Sequence, residues 1–192
     1  MGYSQAQKAE SRQRVLESAS RQIREHGIEA LGVADCMRSA GLTHGAFYGH
    51  FSSRDALILE ALEHAVSQSE KRIVSVSAGS GKHGKTPLQS IAEAFINERH
   101  VKNPGKGCAL CALAGEARHA NPDVREQLTK YVRKLASQIA QATSTDGEQP
   151  ALGIVATIVG AITLARAVDD DKLAKSILSA SLALVMTQDG GA

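Results

Sequence analysis

GIEALGVADCMRSAGLTHGAFYGHFSSRDAL, residues 27–57, is the stretch on which the fold turns. Gly27 suits the end of a preceding helix, because glycine tolerates the left-handed backbone that helices adopt as they stop. Residues 33–40 are short and amphipathic and close on Gly41. Thr43 follows, with a hydroxyl suited to cap a second short helix carrying His44, Ala46, Phe47, Tyr48 and His50. Two short helices joined by a glycine-containing turn form a helix-turn-helix, whose second helix is of a size to enter the major groove of DNA. This stretch is expected to read DNA, and the rest of the chain to decide when it does.

Composition frames that expectation. The chain of 192 residues suffices for one large domain or for a small one joined to a larger, and a hydrophobic content of 43% supports a real core. Aromatic residues make up 3% and Trp is absent, so Ala, Leu, Ile and Val must fill that core. Four prolines and few β-branched alternations point to an all-α protein. A net charge of +2 excludes a binder that relies on bulk charge, but not a local basic face. Residues 1–54 carry seven Lys or Arg against five Asp or Glu, a mild asymmetry joined by His26, His44 and His50.

The N-terminus is polar where a secretory signal would need an apolar run. The longest apolar run, residues 151–165, falls short of the ~20 that span a bilayer, and its glycines and alanines suit a buried helix interface. Cys36, Cys108 and Cys111 are an odd set without an export signal and read as cytosolic thiols. A cytoplasmic location without a membrane partner is expected.

Working outward, residues 1–5 are expected to be disordered and a first helix to run to about His26. Val15, Ala19 and Ile23 share one face of it, and Lys8, Arg12, Arg14, Arg21 and Arg24 are phosphate-contact candidates on the others. After the helix-turn-helix, Ser52 or Ser53 caps a long helix reaching about Val76. SAGSGKHGKTP, residues 77–87, is a flexible connection that lacks the order of a phosphate loop. A helix from Pro87 to about His100 comes next, then a short apolar helix within CALCALAGEARHA. Asn121 and Pro122 start another helix, which reaches Ala142. The last two cover about 151–168 and 171–186, the second opening on Asp169, Asp170 and Asp171. The division is a three-helix unit over residues 1–52 and a roughly six-helix unit over residues 53–192.

Residues 12–62, and above all AGLTHGAFYGHFSSRDAL at 40–57, resemble the TetR family of one-component transcriptional regulators. The spacing from Ala40 and Gly41 through Gly45, Phe47, Tyr48, His50 and Phe51 to Arg54 carries the resemblance. GCALCALAGEARH and ITLARAVDDDKLAKSILSAS match the family's regulatory segments more loosely. The resemblance implies that Thr43, His44 and Ala46 face DNA bases, that Gly45 lets the backbone approach, and that Tyr48, His50 and Arg54 meet phosphates. Phe47 and Phe51 would anchor the core. Three positions depart from the family's pattern. Leu31 and Gly32 stand where Thr or Ser is common, so Leu31 reads as packing. His44 replaces a frequent Lys, and Cys36 takes an aliphatic position as a buried, inert thiol.

The resemblance further implies a homodimeric repressor that binds a palindromic operator and is released by a small-molecule inducer. Small residues in the last two helices (Gly153, Ala156, Thr157, Gly160 and Ala161), with Ile158, Ile162, Leu182 and Val185 for bulk, suggest a four-helix interface over about 151–186. The ligand site is expected among Phe95, Leu110, Leu113, Leu128, Tyr131 and Leu135. Cys108 and Cys111, three apart on a helix, put both sulfurs on one side. A helix start after Gly107, with Lys102 and Lys106 nearby, would favour a Cys108 thiolate, and thiol modification is a second route of release. Small hydrophobic packing is the alternative role of these thiols.

Zinc would need two more ligands, and His100 and His119 make no recognised spacing, so no metal or cofactor is expected. The alternative function is a cytosolic thiol-disulfide enzyme using the Cys108/Cys111 pair, which requires a strand–helix context that is not evident. Without a supported nucleophile or paired carboxylates, a non-enzymatic protein is expected.

Overall fold

The computed structural model describes residues 5–143 and 148–189, and the expected disorder of residues 1–4 lies outside them. The described residues are all-helical, with nine α-helices and no strand. Helix α1 (Gln5–His26) buries Val15, Ala19 and Ile23 at helical spacing and stops where the Gly27 N–H bonds to the Ile23 carbonyl at 3.0 Å. Gly27 has φ +89°, a conformation that β-carbons disfavour. Helix α2 (Val33–Ser39) ends just before Gly41, at φ +74°.

The second helix of the helix-turn-helix differs from the expected form. Residues His44–Gly49 make a 3₁₀ helix, and the Thr43 side chain makes no capping bond. The Ala46 N–H bonds instead to the Thr43 carbonyl at 3.1 Å, the tighter i to i+3 pattern. Gly45 and Gly49 lie within this short element, and glycine is a poor helix former.

Helix α3 (Arg54–Gly79) is the spine. Ser53 caps it, its Oγ accepting from the Ala56 N–H at 3.0 Å, and Asp55 complements the dipole in the first turn. One side packs on α1, and further along α3 meets α4 (Pro87–Phe95) and α7 (Pro122–Ala142). Thr86 and Gln89 close a capping box at the start of α4.

The helix expected to continue to His100 breaks at Ile96. Asn97 starts α5 (Glu98–Lys102) afresh, its side-chain oxygen accepting from the His100 N–H at 2.9 Å. Helix α6 (Ala109–Leu113) is a single turn, α7 starts from the Asn121 cap as expected, and Asp170 caps α9 (Asp171–Met186).

One continuous core runs from Val15, Met37, Phe47 and Leu62 at the helix-turn-helix end to Leu113, Tyr131, Ile139 and Ile162 at the other. Helix α8 (Glu148–Ala167) lies between α7 and α9. Residues Gln149–Ala167 are, by length and composition only, long and apolar enough to cross a membrane; here the helix packs on α7 and α9. Ile158, Ala161, Ile162 and Val185, expected to furnish an interface, are buried in the chain's own core. The outward apolar residues are Leu152 and Leu164 on α8 and Leu173 and Leu184 on α9, alongside exposed Gly153 and Ala156.

Candidate DNA-binding surface and buried thiol site

The 3₁₀ turn presents one face and anchors the other. Phe47 and Phe51 are buried, with their rings stacked at 5.8 Å. Thr43, His44, Gly45 and Gly49 are exposed, and Tyr48 is 76% exposed. Ala46 and His50 are half-buried and share a concavity with Lys8 of α1. Burial, then the charges of Lys8 and Arg12, lower the His50 pKa, so the ring is neutral at neutral pH. Its Nδ1 is buried and finds no hydrogen-bond partner among the described residues.

Three cations read from the sequence as phosphate contacts are engaged inside the protein. Arg12 donates to the His50 carbonyl at 3.3 Å, pairs with Glu60, and lies 4.7 Å over the Phe51 ring. Arg54 donates to three carbonyls of the α1–α2 loop: Leu31 at 3.3 Å, Ile28 at 3.0 Å and Glu29 at 2.9 Å. Leu31 is buried beneath it, in keeping with a packing role. Arg24, the third of these cations, is only 5% exposed. Its guanidinium bonds to the Gly107 carbonyl and the Gln68 side chain, both at 2.9 Å.

Arg24 leads to the second site. Cys108 is the residue preceding α6, one position earlier than expected, and is 2% exposed; Cys111 is 5% exposed. Cys108 Sγ lies 3.3 Å from the Tyr131 hydroxyl. The Cys108 N–H donates to His100 Nε2 at 2.9 Å, which obliges His100 Nδ1 to carry the proton it shares with the Phe95 carbonyl at 2.7 Å. Burial therefore holds His100 neutral, with its pKa down at about 4.

The Cys111 thiol hydrogen-bonds to Cys108, which pulls the Cys108 pKa below its ordinary value and pushes that of Cys111 up. The cations whose charge reaches Cys108 are Arg24, Arg72 and Arg166, not the expected Lys102 and Lys106; Lys102 pairs with Glu98 at 3.5 Å. Arg166 donates to the carbonyls of His100 at 2.7 Å, Cys111 at 3.0 Å and Val101 at 3.2 Å. Cys36 is the inert thiol expected: fully buried, with its pKa raised to about 11 chiefly by desolvation.

The segment around Cys108 runs against α1. Gly105 packs so closely on Arg21 and Glu25 that a β-carbon would collide with them. Beyond α6, Glu116 accepts from the Ile28 N–H at 3.1 Å, and its carboxylate fills the space that a Gly27 side chain would need. Phe95, Leu110, Leu113, Leu128, Tyr131 and Leu135, expected around a ligand, are tightly buried core side chains here.

Sequence reasoning gave Arg24 and His100 other roles and passed over Arg72, Glu116 and Arg166. Arg166 left the clearest signal, as a lone cation in an apolar helix. Arg24 left a weaker one, four residues after Ser20, to which it bonds at 3.0 Å. The buried Cys pair lies at a helix start with no strand among the described residues, which removes the context that a thiol-disulfide enzyme requires.

Residues 15–61 match the family described as bacterial regulatory proteins, tetR family. A helix-turn-helix transcriptional regulator of Mycobacterium tuberculosis is 25% identical over 169 residues, spanning 81% of this chain and 84% of its own. The transcriptional repressor NemR of Escherichia coli K12 is 20% identical over 144 residues, spanning 74% and 72%. The crystal structure of Escherichia coli NemR in its reduced form superposes with a TM-score of 0.75 at 19% identity, over 94% of this chain and 97% of that one. A TetR regulator from Chloroflexus aurantiacus gives 0.77 at 23%, over 95% and 98%. Residues 15–61 thus carry the helix-turn-helix segment of the tetR family, and the chain as a whole shares the fold of TetR transcriptional regulators.

Proposed function

We propose that the protein is a homodimeric repressor whose operator affinity is set by the state of the Cys108 region. Residues 1–52 form the reader and residues 53–192 the sensing and dimerisation unit, whose first helix, α3, packs on α1 of the reader. Thr43, His44 and Ala46 face base edges, Gly45 admits the backbone, and Tyr48 and a neutral His50 meet phosphates. Arg54 acts by holding the α1–α2 loop, through the three carbonyl bonds described above. The exposed leucines of α8 and α9 form the partner interface, a four-helix contact related by a two-fold axis.

The observation that carries this reading is the bond from Arg24, on the first helix of the reader, to the Gly107 carbonyl beside Cys108. Peroxide attack by the thiolate forms a sulfur–oxygen bond, releases hydroxide and leaves a sulfenic acid. An added oxygen has no room at a thiol that is 2% exposed and in contact with Tyr131. The Gly107–Cys108 backbone must then shift, and Arg24 transmits that shift to α1. That a repressor with the same fold is described in a reduced form supports a redox role. A small-molecule inducer acting on the same segment would use the same link.

A gel shift with the DNA upstream of the protein's own gene tests the DNA-binding part. Retardation by wild-type protein, weakened about tenfold for Tyr48→Ala whatever the base sequence, is expected. Altered base preference is expected for His44→Ala. Wild-type affinity in Tyr48→Ala would refute this docking.

A further inference from the structure

Between α3, α5 and the turn Pro104–Lys106 lies a cavity of about 330 Å³ lined by Arg72, Arg99, His100, Asn103 and Lys106. We infer that this cavity is a binding site for a small oligo-anion bearing carboxylate or phosphate groups, distinct from both the DNA surface and the Cys108 thiol.

Three cations converge on the cavity, and no carboxylate lines it. The acidic residues nearest in sequence pair elsewhere: Glu98 lies 3.5 Å from Lys102 and 3.7 Å from Lys175, and Glu70 is 2.7 Å from Lys134. The Glu25 carboxylate packs against Gly105 in the bounding turn but pairs with none of the three cations. Among the described residues, Arg72, Arg99 and Lys106 form no ion pair. Cations gathered in one concavity repel each other, and the two arginines do so here, since the charge of Arg99 adds to burial in lowering the Arg72 pKa. An anion relieves that repulsion.

Donors are ready for it. Arg72 is aimed by a 2.8 Å bond from one Nη to the Ala94 carbonyl and by its stacking 5.5 Å over Phe95, leaving its other N–H groups available. Asn103 donates to the Arg99 carbonyl at 2.9 Å and retains a second amide hydrogen. The planar fork of arginine fits carboxylate and phosphate oxygens in pairs. His100, with its Nε2 already accepting from Cys108, forms a neutral wall and no donor.

The volume lies within the range of small-molecule sites and exceeds what one oxyanion needs. DNA does not reach it along the same helix, since Arg72 stands about 27 Å beyond Arg54 by helical rise. A bound anion would tie α3 to the segment that carries Cys108.

Titration calorimetry of the full chain with citrate, pyrophosphate and orthophosphate, at fixed ionic strength and without DNA, tests the assignment. Saturable binding of at least one of them is expected, weakened about tenfold or more in Arg99→Gln/Lys106→Gln. These two side chains are exposed, so the double variant should keep the wild-type melting temperature without ligand. Preference for citrate assigns a carboxylate ligand, and preference for pyrophosphate or orthophosphate a phosphate ligand. If none of the three saturates, or the double variant binds as tightly as wild type, the site does not exist. Because no step uses DNA or oxidant, a failure here leaves the repressor reading standing, and the reverse also holds.

Discussion

Arg54 and His100 show how much a single side chain decides here. Arg54 spends its guanidinium on three carbonyls of the loop between α1 and α2. Arg54→Ala should therefore lower unfolding stability by about 2 kcal/mol, as the loop carbonyls lose their donors. Operator binding should weaken with it while the dependence of log K on log salt keeps its slope; a slope smaller by about one would mean that a phosphate contact had been lost instead. His100 gives a pH signature. Its pKa falls from 6.5 to about 4 on folding, so the unfolded chain takes up the proton first as pH drops. The stabilisation is complete above about pH 6.5, declines through the window down to pH 4 and is gone below it, roughly 3 kcal/mol at most. Urea unfolding at pH 7.5 and pH 5 measures this, and His100→Gln should flatten the difference.

At the scale of elements, the segment from α5 through α6 to Glu116 is a strap laid against α1. Two bonds fasten it, Arg24 to the Gly107 carbonyl and the Ile28 N–H to Glu116. Arg24→Met orphans buried acceptors and should cost about 3 kcal/mol. Glu116→Ala lies at a more open place and should cost about 1 kcal/mol. Hydrogen exchange of the Ile28 amide should speed up in the Glu116 variant and stay slow in Glu116→Gln, which keeps an acceptor.

Local rules make much of this level legible in the amino-acid sequence: Asn121 before Pro122, Ser53 before α3 and Gly27 after α1 each carry their own stop or start signal. The break at Ile96 and the 3₁₀ form of residues His44–Gly49 are not legible there. In the first case a cap at Asn97 competes with continued helix, and in the second two glycines allow a tighter turn. The arginines around Cys108 are beyond reach for another reason. Arg24, Arg72 and Arg166 come from α1, α3 and α8, and only packing brings their charge to one thiol.

At the scale of the whole molecule, α3 packs on α1 near one end and on α4 and α7 further along, and Leu152, Leu164, Leu173 and Leu184 stay exposed on α8 and α9. The residues chosen from sequence as interface bulk, Ile158, Ile162 and Val185, point inward because the chain's own core needs them. Leu164→Glu/Leu184→Glu should yield a folded monomer by sedimentation at micromolar concentration, with operator affinity down by a factor of about one hundred or more as the second half-site is lost. A dimer that persists in this variant would place the interface elsewhere.

The central claim, that the state of Cys108 governs the reader through α1, is tested most directly by fluorescence anisotropy on a labelled operator. Wild-type and Cys108→Ser protein are titrated reduced and after hydrogen peroxide, with mass spectrometry recording the thiol. Reduced, the two proteins should bind within about threefold of each other; oxidised, wild type should lose about tenfold or more, recover with a thiol reductant, and leave the serine variant unaffected. Full operator affinity in wild-type protein with Cys108 oxidised, or a Cys108 that peroxide leaves unmodified, would contradict it.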